Sequence, residues 1–183
     1  PVISIRKARN ATLDWFVHHT LVDGSMDFLK FNTTASNSNS SLSAFTSTVF
    51  PVDDNTNQYI IYCFSEVAGY SKFGSYTGNG SSSYGTFVYL GFRPAFIILK
   101  GTADNTSFWT IVDNKRNEFN PVNKWLYSND AQAEYDASSY PIEFFANGFR
   151  VNTNASYTNT SGGTYIYLAF AESPFKIQEQ GNI

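Results

Sequence analysis

The sequence has a single cysteine, few charged residues and no long apolar run, and each of these shortages excludes some folds or functions. Cys63 has no possible disulfide partner in the chain, so disulfides do not stabilise this fold, and its apolar surroundings predict a buried core residue. Only 15% of the residues are charged, and the net charge of −3 argues against a nucleic-acid-binding protein, which usually carries a basic patch. The apolar runs are too short for a membrane-spanning helix, so we expect no membrane insertion.

Aromatic residues are abundant, at 17% of the 183 residues, and their arrangement predicts strands. Short apolar and β-branched runs alternate with clusters of Asn, Ser, Thr, Gly and Asp, which are turn-forming residues. No window shows helical periodicity over three turns, and only residues 130–135 could form one helical turn. The pattern therefore predicts an all-β fold of antiparallel sheets, packed as a jelly-roll-like sandwich.

The chain contains an internal duplication. The matched positions are Pro1 with Pro94, Lys7 with Lys100, Trp15 with Trp109, residues 28–32 with 125–129, and residues 59–66 with 165–172. The separation grows from 93 residues at the lysines to 106 residues at the final glutamates, as expected when loops gain residues and strands do not. We therefore predict that residues 1–66 superpose on 94–172 strand for strand.

The duplication divides the chain into four parts. A first β-sandwich repeat spans residues 1–73, a Gly/Ser-rich connecting loop spans 74–86, a second repeat spans 87–177, and 178–183 form a tail. The apolar run at 87–92 reads as a strand that leads straight into the next one and has no counterpart before Pro1, so the first repeat lacks its opening strand and the chain looks like part of a longer protein. The connecting loop is either a flexible linker or an ordered loop within one body.

Several segments together carry a further signal: residues 69–80 and 87–94, Trp109 with residues 113–116, the turn at 147–149, and residues 163–172. They resemble a repeat that is common in uncharacterised, long tail-associated proteins of marine bacteriophages. The resemblance implies a virion component of a phage tail, either a fibre or the tail tip, which is extracellular at the time of host contact. It implies no catalytic residues, because the family has no established ones.

Two glutamates are the first catalytic candidates to consider. Glycosidases place two carboxylates across the scissile bond, about 5–10 Å apart. Glu66 and Glu172, however, are the same position in two repeats, which favours a shared structural duty such as binding loop amides or pairing with Lys7 and Lys100. His18 and His19 are adjacent on a predicted strand, so their side chains point to opposite faces and cannot form one acid–base pair.

Aromatic residues divide into core and surface candidates. Trp15 and Trp109 are repeated on strands, which predicts core anchors. Tyrosines in polar loops can stack on a sugar and form hydrogen bonds through their hydroxyls. The candidate ligand-binding residues lie in the loops 74–86 and 152–163: Tyr76, Asn79, Tyr84 and Tyr157.

These patterns favour a non-enzymatic component of a phage tail that binds host-surface glycans. Its expected partners are other copies of itself or other tail proteins in a multimeric assembly, and neither a cofactor nor a metal is expected. Two alternatives stay open, namely a glycan-degrading tail enzyme and a cellular adhesin or lectin-like module. The enzyme needs two converging carboxylates that the duplication does not explain, whereas the adhesin differs from the tail component only in its setting.

Overall fold

The computed structural model describes residues 1–46, 48–51, 56–103 and 105–174, and its regular elements there are all strands. The predicted all-β fold of antiparallel sheets is confirmed. Residues 131–134 are irregular, so the single helical turn predicted for 130–135 is wrong. No helix within the described ranges is long and apolar enough to cross a membrane. The predicted tail at 178–183 lies outside the described residues.

The strands form three antiparallel sheets. Sheet A has the spatial order β4-β3-β2-β1-β5 and consists of β1 (Ile3–Ala8), β2 (Phe16–His19), β3 (Asp27–Lys30), β4 (Ser38–Asn39) and β5 (Tyr59–Phe64). Sheet B has the order β11-β10-β9-β8-β14-β6 and consists of β6 (Ser71–Thr77), β8 (Pro94–Gly101), β9 (Thr110–Asp113), β10 (Lys124–Tyr127), β11 (Tyr135–Asp136) and β14 (Thr164–Ala171). Sheet C has the order β12-β13-β7 and consists of β7 (Thr86–Tyr89), β12 (Ile142–Phe145) and β13 (Gly148–Val151).

Two hydrophobic cores place sheet B between the other two sheets. Alternate residues of a strand point to opposite faces of its sheet, and β8 shows this directly. Ile97 and Leu99 pack with sheet C residues such as Phe149, whereas Ile98 packs with sheet A residues such as Ile3. The molecule is therefore a stack of three layers, and sheet B is apolar on both faces.

Sheets A and B repeat each other in strand order and in register. The order β4-β3-β2-β1-β5 corresponds to β11-β10-β9-β8-β14. Ile5 lies opposite Val17 and Tyr62, and the residue at its position in the second repeat, Ile98, lies opposite Ile111 and Leu168. In each set of five strands, the last strand in the chain returns to pair with the first of that set, β5 with β1 and β14 with β8, in the manner of a Greek key. The pairing pattern agrees with the strand-for-strand duplication.

The boundary between the repeats differs from the expected one. Residues 71–77 form β6, which pairs with β14 in sheet B, so the expected linker at 74–86 begins within a strand of the second repeat's sheet. The run at 87–92 also differs, because β7 lies in sheet C and does not continue straight into β8. The chain crosses between these sheets at a turn that contains Gly91, whose φ of +83° favours glycine.

Sheet C belongs to the second repeat alone. The hairpin of β12 and β13 lies between β11 and β14, and β7 completes the sheet. The corresponding connection in the first repeat, between β4 and β5, contains no strand within its described residues 40–46, 48–51 and 56–58. Each repeat therefore contains the same five-stranded arrangement, and only the second repeat adds sheet C to it.

Candidate functional site

The two repeated glutamates have structural partners. Glu66 Oε1 accepts a hydrogen bond from the backbone N–H of Phe73, at 3.1 Å. Glu172 forms an ion pair with Arg93, with an Nε–Oε2 distance of 3.0 Å, and accepts a hydrogen bond from Asn114 Nδ2 at 2.6 Å. Glu66 thus binds a backbone amide of β6 and not a loop amide, and Glu172 uses side-chain partners that the sequence did not indicate. The expected pairing with Lys7 and Lys100 is wrong, because both lysines donate to backbone carbonyls.

The repeated tryptophans occupy equivalent positions with different burial. Trp15 directly precedes β2 and Trp109 directly precedes β9. The backbone N–H of each donates to an asparagine side chain at the equivalent position, Trp15 to Asn32 at 2.9 Å and Trp109 to Asn129 at 2.8 Å. Trp109 is buried, as predicted for a core anchor, but Trp15 is only partly buried.

The prediction for the two histidines agrees with the structure, whereas the prediction for the cysteine does not. His18 lies opposite Ser4 and His19 lies opposite Ile3, so the two rings point to different faces of sheet A, as predicted. Burial lowers the pKa of His19. Cys63 is exposed, so the prediction of a buried core residue is wrong. The reason is that Cys63 lies on β5, which forms one edge of sheet A.

The two candidate loops lie side by side. Asn159, which is fully buried, joins them through its side chain. Its Oδ1 accepts a hydrogen bond from the backbone N–H of Asn79 at 3.0 Å, and its Nδ2 donates to Asn79 Oδ1 at 3.0 Å and to the carbonyl of Thr153 at 2.6 Å. Asn79 therefore holds the loops together, and its amide oxygen is already occupied.

Tyr76 is a core residue and not a surface ligand contact, which corrects the sequence-based prediction. Its side chain is 8% exposed and stacks on Tyr165 of the neighbouring strand, with ring centroids 5.1 Å apart. Its hydroxyl donates to the carbonyl of Thr158 at 2.6 Å. Burial raises the pKa of Tyr76 well above its usual value, so the hydroxyl stays protonated and keeps donating.

We expect Tyr76→Phe to destabilise the protein by about 1–2 kcal/mol, because it leaves the carbonyl of Thr158 without its buried donor. Urea unfolding followed by tryptophan fluorescence measures this change. Tyr84→Phe is the matched control, since Tyr84 is 83% exposed. It should change the free energy of unfolding by less than about 0.5 kcal/mol. Equal effects of the two variants would contradict the assignment of Tyr76 to the core.

Tyr84 is presented to solvent by an ordered loop. Its backbone N–H donates a hydrogen bond to Ser81 Oγ at 2.9 Å, and its carbonyl accepts one from Asn79 Nδ2 at 2.7 Å. These bonds fix the main chain while the ring stays exposed. Of the four predicted ligand-binding residues, Tyr84 alone is fully available to a ligand as a single aromatic side chain.

Tyr157 belongs to a larger group that we name the tyrosine cluster. It consists of four tyrosines from two strands and two loops, three of which contact the buried Trp125: Tyr127, Tyr135, Tyr140 and Tyr157. The ring centroids of Tyr135, Tyr140 and Tyr157 lie 6.4, 6.5 and 5.9 Å from that of Trp125. Tyr127 lies 6.3 Å from Tyr135. Tyr135 is exposed and the other three are partly buried, so the cluster forms an aromatic patch with a buried base.

The hydroxyls of the cluster are protonated hydrogen-bonding groups. Burial, with the nearby Tyr135 and Asp130, raises the pKa of Tyr127 to about 12. Burial, followed by the influence of Tyr127 and Tyr140, raises the pKa of Tyr157 above its usual value. At neutral pH these hydroxyls can therefore both donate and accept hydrogen bonds. An ion pair between Lys124 and Asp136, at 2.8 Å, lies on the same two strands as Tyr127 and Tyr135.

The first repeat shows that the fold does not require this cluster. The residues that correspond to Tyr127 and Tyr135 are Lys30 and Ser38, in strands of the same register. Sequence reasoning identified Tyr157 as a candidate but missed Tyr127, because Tyr127 lies in a strand and not in a polar loop. The available signal was this difference between repeats, since a tyrosine present in only one copy is not explained by the shared sheet.

Comparison with known families gives one match. A family model described as a domain of unknown function (DUF7483) matches residues 1–174. The chain belongs to the DUF7483 family. The match runs through both repeats, so the DUF7483 domain contains the duplicated pair. No curated protein and no solved structure matches the chain.

The DUF7483 chain shows no cluster of metal ligands in the part that the structure describes, where no three His, Cys, Asp or Glu side chains could hold a metal ion together. The tyrosine cluster is instead suited to a neutral or weakly charged ligand with both apolar and hydroxyl groups. Aromatic rings provide flat apolar contact, and phenolic hydroxyls provide hydrogen bonds at its border.

Proposed function

We propose that this chain is a non-enzymatic structural module of a phage tail, in a fibre or tail tip, which binds host-surface glycans through the tyrosine cluster. The observation that carries the proposal is the convergence of three tyrosines on Trp125, with Tyr127 beside Tyr135, in the second repeat only. The setting in a tail follows from the resemblance of the repeat to tail-associated phage proteins.

The cluster has the chemistry that sugar binding requires. A sugar ring presents one apolar face of C–H groups and a border of hydroxyls, which matches aromatic rings bordered by phenols. Tyr135 contributes an exposed ring, while Tyr127 and Tyr157 contribute hydroxyls held by partly buried side chains. Such side chains lose little conformational entropy on binding, because their rings are already packed.

The proposed affinity of one site is low and is raised by multiplicity. A millimolar dissociation constant corresponds to about −4 kcal/mol, which is typical of a small, solvent-exposed contact. In a multimeric tail, many linked sites act together, and linkage raises the apparent affinity by roughly 10² to 10⁴. The expected partners in that assembly are other copies of this chain or other tail proteins.

Two observations favour binding over catalysis. Glu172 is held by Arg93 and Asn114, and Glu66 by a backbone amide, so each repeated glutamate has a structural role. The histidine rings point to different faces of sheet A. A cellular adhesin or lectin-like module would use the same chemistry as the tail component, and tail-assembly genes beside the coding sequence would distinguish the two.

We expect Tyr135→Ala to weaken binding of an oligomerised form of the protein to host cells by at least about tenfold. The lost ring contact is worth about 1.4 kcal/mol per site, which is a tenfold change in each site's affinity, and multiplicity amplifies it. Cell binding measured by flow cytometry, with purified envelope glycans as competitors, tests this expectation. The melting temperature should change little, because Tyr135 is exposed.

Tyr89→Ala is the matched control for this experiment. Tyr89 is also an exposed tyrosine on a strand, but it lies on sheet C. We expect this variant to bind like the unaltered protein. Unchanged binding by Tyr135→Ala, or equal losses in both variants, would contradict a glycan site at the cluster. Release of reducing sugars that disappears with Glu172→Gln would favour the glycan-degrading enzyme instead.

A further inference from the structure

No strand among the described residues pairs with the outer edge of β5, whereas the equivalent edge in the second repeat is paired. In sheet B, β14 pairs with β8 on one side and with β6 on the other. In sheet A, β5 pairs with β1, and no described strand pairs with its other side. Since sheets A and B otherwise have the same strand order and register, the duplication itself shows what belongs at this edge.

The composition of β5 also distinguishes it from the other edge strands. Proteins normally protect sheet edges with short strands or charged side chains. At the other edges, β4 and β11 have two residues each, β7 has four, β6 carries Lys72 and β12 carries Glu143. By contrast, β5 has six residues and no charge, and its Ile60 and Tyr62 are 46% and 50% exposed. A long, uncharged, apolar edge of this kind is suited to pairing with another strand.

We propose that the outer edge of β5 binds an antiparallel strand of the β6 type, supplied by another repeat of the same family. The strand would complete sheet A as β6 completes sheet B. This inference goes beyond the proposed function, because it depends on the duplication and not on glycan binding. It gives the module a defined way to join a neighbouring repeat within a larger assembly.

The duplication also fixes the register of the incoming strand. In sheet B, Tyr165 lies opposite Tyr76, Tyr167 opposite Gly74 and Ala169 opposite Lys72. The β5 residues at those β14 positions are Tyr59, Ile61 and Cys63. A β6-type strand should therefore place the residue at its Lys72 position directly opposite Cys63.

The exposed Cys63 makes this register measurable by disulfide exchange. Residues directly opposite in antiparallel strands have Cα atoms about 4.5–5.5 Å apart, which a disulfide can span. The probe is a synthetic peptide of residues 69–78 with Lys72→Cys, supplied as its mixed disulfide with thionitrobenzoate. The Cys63 thiolate attacks the peptide sulfur, and thionitrobenzoate leaves as a coloured thiolate whose absorbance gives the rate.

The control peptide has the same sequence with Tyr76→Cys in place of Lys72→Cys, which moves the reactive sulfur four residues along the strand. We expect the Lys72→Cys peptide to react with Cys63 at least about tenfold faster than the Tyr76→Cys peptide. An extended form of the protein carries an additional copy of residues 71–93 in front of Pro1, in the same order in which they precede Pro94. It should lose this preference, because its own strand occupies the edge.

Three outcomes would overturn the proposal. The first is equal rates for the two peptides, which would show reaction without strand pairing. The second is an unchanged preference in the extended protein, which would show that the edge is not the binding site. The third concerns the unaltered protein treated with dithiobis(nitrobenzoate), where one Cys63 thiolate displaces a first thionitrobenzoate and the Cys63 thiolate of a second molecule displaces the other. A Cys63-linked dimer that forms in this way faster than either peptide adduct would assign the edge to pairing between two β5 strands. None of these outcomes depends on glycan binding, so the two proposals fail separately.

Discussion

Trp109→Ala is expected to destabilise the protein by about 3–5 kcal/mol, which is the range for truncation of a buried tryptophan. The Trp109 side chain is 1% exposed and lies in the core between sheets A and B. Its ring centroid is 5.0 Å from that of Phe31, and its Nε1 donates to the carbonyl of Lys30 at 2.8 Å. The substitution therefore leaves a cavity and removes a hydrogen bond at the contact between the two repeats.

The duplication provides the control for this prediction. Trp15 occupies the equivalent position in sheet A but is only partly buried, and its ring lies 5.9 Å from Lys7 Nζ. Trp15→Ala should cost about 1 kcal/mol, as is usual for a partly exposed side chain. Urea unfolding of both variants, followed by circular dichroism, gives the two free energies. Similar costs would contradict the assignment of Trp109 as the tryptophan that joins the repeats.

The sheet pairing could be predicted from the sequence because strands tolerate no insertions. A shift of one residue in a paired strand would turn every side chain to the other face. The separation between matched residues is therefore constant within a strand and changes only in loops. This is why Ile5 and Ile98, matched by sequence alone, have matched partners on both neighbouring strands.

Other parts of the fold depend on contacts that no local pattern reveals. Tyr76 is surrounded by Gly, Ser and Thr, which are typical of a loop, but it pairs with Tyr165, which lies far along the chain. The exposed position of Cys63 has the same origin, because β5 reads as a buried strand and becomes an edge strand only through the strand order. Non-local strand pairing decided both positions.

The candidate site was predictable in part. Tyr84 and Tyr157 lie in the polar loops identified from the sequence, and the structure leaves Tyr84 exposed. The contribution of Tyr127 could not be read from its own strand, where an aromatic residue is ordinary. The comparison with Lys30, at the same position in the first repeat, indicates that the sheet does not require a tyrosine there.

Lys100→Met is expected to destabilise the protein by about 2–4 kcal/mol. The Lys100 side chain is fully buried, and its Nζ donates to the carbonyl of Ser107 at 2.5 Å and to that of Thr34 at 2.9 Å. Thr34 lies in the first repeat and Ser107 in the second, so this ammonium group connects them. Methionine keeps most of the apolar stem but removes the donors, and each buried carbonyl left without a partner costs about 1–3 kcal/mol.

Lys7→Met measures the same substitution at the equivalent position of the first repeat. Lys7 Nζ donates to the carbonyl of Leu13, the counterpart of Ser107, but this lysine is partly exposed and water can replace it. We expect a loss of less than about 1 kcal/mol in the free energy of urea unfolding.

One effect at Lys100 opposes the expected destabilisation. The substitution removes the desolvation penalty of a buried ammonium group, and replacing a buried charge by an apolar group can be neutral. If Lys100→Met is as stable as the unaltered protein, the expected destabilisation is wrong, and removal of the buried charge offsets the lost hydrogen bonds. Of the two buried side chains tested here, Trp109 would then be the one whose contacts between the repeats stabilise the protein.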